Sequence, residues 1–160
     1  MKLELIWMPA TMQTAERILS SNRISARFGL ALNREQAIAL AQDRQKALEE
    51  TGRVEFANGV LEDLIFAFCD SPYIDQAHYA ETLDGLLRLF YAFKNETLDQ
   101  LPDAELIEIM KTAFDGPPCY GSLALLEGKV LEEVGRRERF RGLPQAEEAG
   151  NADVEENEDA

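Results

Sequence analysis

The stretch "DQAHYAETLDGLLRLFYAFKNET", residues 75–97, constrains this chain more than any other. Tyr79, Leu83, Leu86, Phe90 and Phe93 recur at steps of four, three, four and three, which is the spacing of one helix face. Ala80, Leu87 and Tyr91 widen the stripe. A helix with so broad an apolar face must be covered on several sides, so it predicts a central helix in an all-α domain.

The flanking segments read as the covering helices. In "LNREQAIALAQDRQKALEETGR", Asn33 is placed as N-cap with Gln36 three residues on, a capping-box spacing, and Gly52 supplies the stop. "NGVLEDLIFAFCDSP" carries apolar residues at 60, 61, 64, 65 and 68, and Pro72 ends that helix near Asp70 by excluding Ser71 from the helical region. "PDAELIEIMKTAFDG" presents Leu106, Ile109, Met110, Ala113 and Phe114 on one side, with Gly116 as its stop. "SLALLEGKVLEEVGRRERFRG" begins at a Ser122 cap and buries Leu123, Leu126, Val130 and Val134. A further, weaker helix covers residues 12–21. The expectation is a compact bundle of five to six helices over residues 1–143. The alternation in "KLELIW" (2–7) and "RVEF" (53–56) leaves one short N-terminal β-pairing open.

Residues 144–160, "PQAEEAGNADVEENEDA", hold seven acidic residues, no basic ones and one large apolar residue, Val154. Such a segment buries too little surface to offset its ordering entropy, so it reads as a disordered acidic tail. It carries half of the net charge of −14. That acidity argues against a general grip on nucleic acid or an anionic membrane. No apolar run approaches the ~20 residues that span a bilayer. Two cysteines, Cys69 and Cys119, make neither a disulfide framework nor a zinc site, which places the chain in a reducing cytoplasm.

Two segments concentrate chemistry. "FCDSPYIDQAHY", residues 68–79, includes Cys69, Asp70, Tyr73, Asp75 and the sole histidine, His78. Each polar residue there has a structural use: Asp75 caps the central helix, Ile74 and Tyr79 have the spacing of a hydrophobic staple, and "DSPY" makes the turn. Cys69 falls at a helix C-terminus, where the dipole disfavours a thiolate, so a Cys69–His78 dyad is not expected. Asp75, His78 and Glu81 step by three, but one histidine does not build a di-metal bundle. "GPPCYGS", residues 116–122, is a tight loop before a helix. It lacks the lysine of a phosphate loop, and Cys119 reads as a small residue in a proline-stiffened connection more readily than as a reactive thiol. A third feature, "RRERFR" with Arg136 and Arg137, reads as complement to a helix C-terminus, or alternatively as a small basic site that the acidic tail covers.

"GRVEFANGVLEDLIFAFCDSPYIDQAHYAETLDGLLRLFYAFKNET", "DAELIEIMKTAFDG" and "CYGSLALLEG" resemble an uncharacterised family, a domain of unknown function in small bacterial proteins, mainly of Firmicutes. The resemblance covers residues 28 to about 134 and leaves "RRERFR" and the tail outside. It implies a bacterial, cytoplasmic protein, and no activity, cofactor or catalytic residue.

The residues themselves favour a helical protein-binding or adaptor module whose partner is another protein, since the chain is rich in aromatic helices and poor in catalytic residue types. Tyr73, Tyr79, Tyr91 and Phe93 are the aromatics that would line a groove. A second reading is a small enzyme using carboxylates at the 62–78 corner, Glu62, Asp63, Asp70 and Asp75, and a third is an acidic mimic of nucleic acid. No catalytic, cofactor or metal residue is assigned. The surface candidates are Cys69, Asp70, Tyr73, Asp75, His78, Cys119, Arg136 and Arg137.

Overall fold

Apolar burial along one helix organises the whole chain. In the computed structural model, Tyr79, Leu83, Leu86, Leu87, Phe90, Tyr91 and Phe93 are each at most 1% exposed, which places their helix at the centre. The structure describes residues 9–55 and 59–142, with backbone alone for residues 138–142. Among the described residues six helices of two turns or more succeed one another: α1 (Ala10–Ser20), α2 (Arg34–Thr51), α3 (Leu61–Phe68), α4 (Tyr79–Glu96), α5 (Asp103–Asp115) and α6 (Leu123–Gly142). A single turn at Asn22–Ser25 runs into a 3₁₀ turn at Ala26–Phe28, and a second 3₁₀ turn, Gln76–His78, leads into α4.

α4 packs against α2, α3 and α6. α1 covers α2 and α3, and α5 bridges α3 and α6. Ring pairs join the layers: Phe68 of α3 meets Phe114 of α5 edge-on with centroids 5.5 Å apart, an arrangement favoured by the ring quadrupoles. The expected all-α bundle is therefore observed.

Local signals explain the helix ends. Asn33 accepts from the Gln36 amide at 2.7 Å while Gln36 Oε1 accepts from the Asn33 amide at 2.9 Å, completing the capping box. Gly52 ends α2 in the left-handed region at φ 71°, where a Cβ would be strained. α3 stops at Phe68 with Cys69 as its C-cap, slightly before the position expected from Pro72. α1 starts at Ala10, two residues earlier than its apolar pattern suggests.

The short β-pairing is not formed by its described residues: 53–55 are irregular, whereas 2–7 and 56 lie outside the described residues. The alternation at 53–55 has another cause. Arg53 turns to Asn95 and Asp99, Glu55 turns inward to Arg44 and Tyr91, and the intervening Val54 is 80% exposed. The acidic tail, 144–160, also lies outside the described residues.

Candidate functional site

The two chemistry-dense segments, far apart in sequence, meet at one edge of the bundle. From the first, the Ser71 amide donates to the Phe68 carbonyl at 3.0 Å, closing the turn after α3. Ser71 Oγ then donates to Asp115 at the end of α5 at 2.7 Å and accepts the Tyr73 amide at 3.2 Å. Lys111, also on α5, places Nζ 2.7 Å from Asp70 and 3.3 Å from Asp115. One serine and one lysine thus tie the corner to α5. These charge-assisted bonds hold Lys111 protonated above the ordinary lysine range against the opposing effect of its burial.

The second segment folds back on the same place. After α5 the chain passes through a cis Pro117–Pro118 bond. The Tyr120 amide donates to the Gly116 carbonyl at 2.9 Å and the Gly121 amide to Phe114 at 2.8 Å. Ser122 Oγ accepts the Leu125 amide at 3.3 Å, capping α6 as expected. Gly121 has φ 86°, and a Cβ on it would lie 2.3 Å from Tyr73 Cβ. The residue must be glycine for the loop to lie against the corner.

The product is an exposed aromatic pair. Tyr73 and Tyr120 have ring centroids 6.1 Å apart, tilted by 53°, and stand 44% and 58% exposed. Tyr120 is held at φ 43°, a region that non-glycine residues seldom occupy. The same loop contributes Pro117 to a cleft of about 340 Å³ between α5 and α6, whose walls include Ile109, Thr112, Glu108 and Lys129.

The sequence candidates distribute unevenly around this junction. Asp70 and Tyr73 belong to it. Cys69 is buried beside it; its Sγ donates to the Phe66 carbonyl at 3.6 Å, and burial followed by the Asp70 charge pushes its thiol above the ordinary value. Cys119 is buried in the loop, and burial raises its thiol too. Asp75 and His78 face solvent and turn to each other: Asp75 Oδ1 accepts the His78 amide at 2.9 Å, with His78 Nδ1 3.0 Å away. The His78 ring and then its amide hold Asp75 below the ordinary aspartate value. Cys69 and His78 therefore engage different partners. Arg136 pairs with Glu133, and Arg137 reaches Glu105 at 2.9 Å and Glu133 at 3.1 Å, so both guanidinium charges are matched within the fold.

Of the four aromatics considered for a groove, Tyr79, Tyr91 and Phe93 are core, and only Tyr73 is at the surface. Tyr120, Lys111 and Asp115 were not singled out in the sequence. The glycines flanking "PPCY" signal a tight turn, but nothing local tells that it lands on Tyr73. Among the described residues no three His, Cys, Asp or Glu side chains are grouped to hold a metal ion, and no helix is long and apolar enough to cross a membrane.

The family model for a family of unknown function (DUF6323) matches residues 17–143, and the chain belongs to that family. The match extends beyond residues 28–134 on both sides and includes "RRERFR", which the resemblance had left outside. No curated protein and no solved structure matches the chain closely enough to carry an argument.

Proposed function

We propose that this member of the family is a protein-binding module that uses the Tyr73–Tyr120 edge as its recognition surface. The observation that carries this reading is two exposed tyrosine rings on a braced platform. Tyrosine supplies large contact area at small entropic cost, and rigid aromatic anchors dominate binding energy at protein interfaces. The platform holds still because Ser71, Lys111 and Gly121 fix both backbones.

The partner's chemistry follows from the surroundings. Ring faces attract cations, and Asp70, Asp115 and Lys111 together leave one net negative charge beside them. A chain of net charge −14 also steers basic partners toward itself. The partner is accordingly a protein segment offering an arginine or lysine beside an apolar side chain.

The test is a comparison of the wild type with the double variant Tyr73→Ala/Tyr120→Ala. Losing anchors of this type costs at least ~2 kcal/mol of binding, about 30-fold in Kd. The partner bound stoichiometrically by wild type should be released by the double variant, while Tm stays unchanged because both rings are exposed. Equal binding by the two proteins would refute this surface.

A further inference from the structure

α2 and α4 lie side by side, and part of their seam is lined by small and aliphatic residues: Ala39, Leu40 and Ala80. Two acids interrupt it. Asp43 of α2 and Asp84 of α4 border a hollow of about 200 Å³, which Gln36 and Glu81 also line. Asp84 Oδ1 is shielded from solvent and has no hydrogen-bond donor. Its other oxygen, Oδ2, lies 3.4 Å from Arg88 Nε, and the other arm of Arg88 is 3.6 Å from Glu50 of α2.

A covered carboxylate oxygen in a hollow shared with a second carboxylate gains a donor when one of the two carries a proton, whereas two ionised acids there repel. We propose that Asp43 and Asp84 share a single proton across the seam between α2 and α4, making that seam an acid-tightened joint. Protonated, the pair is a hydrogen bond linking two helices. Deprotonated, it is a repulsion at the same place, opposed by Arg88.

The charges around Asp84 agree with this. Burial, then the hydrogen bond and charge of Asp43, raise its carboxyl above the ordinary 3.8, and Arg88 draws it part of the way back. Glu81, in the same hollow, adds another negative charge. From α6, Leu123 approaches Gly85, next to Asp84; a Cβ on Gly85 would lie 2.6 Å from Leu123 Cδ1. For an acid whose folded pKa is raised, the stabilisation is fully present below the unfolded value and is lost as pH rises through the folded value. The joint therefore weakens above the ordinary aspartate range, where most carboxylate contacts of a protein are at full strength.

The experiment measures Tm of the full chain between pH 4 and 8 for wild type, Asp84→Asn, Asp43→Asn and the double variant. At pH 7 either single variant should raise Tm by about 2–4 °C, and the gain should shrink toward pH 4. The double variant should add little to either single one, because the two acids act as one titrating unit. In wild type, carbon-detected NMR should place one macroscopic step of the pair above 3.8. A gain independent of pH, or Asp84 titrating at or below 3.8, overturns the shared proton. Should one variant fail to fold, the other and the wild-type titration still decide.

Discussion

The two ends of α4 are both held by polar residues, and they are built in opposite ways. At the N-terminal end, Asp75 and His78 are 68% and 67% exposed and, among the described residues, partner each other and the first turn. At the C-terminal end, Lys94 is 6% exposed. Its Nζ donates to the Leu101 carbonyl at 2.6 Å and sits 2.8 Å from Asp103 at the start of α5. Nearby, Arg53 donates to Asn95 at 2.6 Å and pairs with Asp99, while Asn95 donates to the Thr51 carbonyl at 3.0 Å. One turn back, the Tyr91 hydroxyl donates to Glu55 at 2.6 Å, and Glu55 also takes Arg44 Nε at 3.1 Å. The N-terminal end belongs to "FCDSPYIDQAHY", dense in reactive residue types; the C-terminal end belongs to the plainer "FYAFKNETLDQLPD". Density of polar residues in a sequence reports solvation. The polar atoms on which stability depends are the few placed under apolar cover, where losing a partner cannot be made good by water.

Substitutions can break this contrast, and the largest effect belongs to the covered end. Glu55→Ala removes an acceptor shared by two largely buried side chains, Arg44 and Tyr91, so a loss of about 3 kcal/mol is expected in urea unfolding. Tyr91 should then titrate closer to its ordinary value, because Glu55 helps burial to hold its hydroxyl protonated. Lys94→Ala comes second, at about 2 kcal/mol, through the Leu101 carbonyl left without its donor. Lys94→Met keeps the buried stem, and a recovery of stability there would assign the cost to packing instead of to the ammonium. Smallest is the exposed end. Asp75→Ala should lower Tm only slightly by loss of the cap, and His78→Ala should do less. The Asp75 contribution also has a defined pH window: its carboxyl is held below 3.8, so the stabilisation is full above that value and fades as pH falls beneath it. If His78→Ala destabilised more than Lys94→Ala, the comparison of the two ends would be reversed.

What the sequence made legible was the local part. The α4 stripe, the Asn33–Gln36 box, the Ser122 cap and the Asp75 cap, which closes the 3₁₀ turn ahead of α4 and not α4 itself, each depend on residues within four positions of one another, where helix geometry fixes who meets whom. The Glu55–Tyr91 bond, the Lys111–Asp70 pair, the Tyr73–Tyr120 rings and the Asp43–Asp84 seam each join segments more than 35 residues apart. Their meeting is decided by how helices dock, which periodicity does not encode. Arg53 and Glu55 show how the two levels can conflict. Their alternation with Val54 has the period of a strand, yet it arises because two polar side chains reach separate helices while the apolar one between them is left to solvent. Burial raises the carboxyl of Asp84, which lies on α4 outside the 62–78 corner and which no local pattern marks.

The enclosure of Lys94 has an experimental consequence of its own. An amine-acylating reagent modifies a lysine only while its nitrogen is accessible and unprotonated, so a nitrogen covered by the turn between α4 and α5 is silent in the closed state. Acylation of Lys94 then records the moments when that turn lifts away. Its rate, set against that of Lys129 on the rim of the α5–α6 cleft, measures the free energy of opening one corner of the bundle without unfolding the rest.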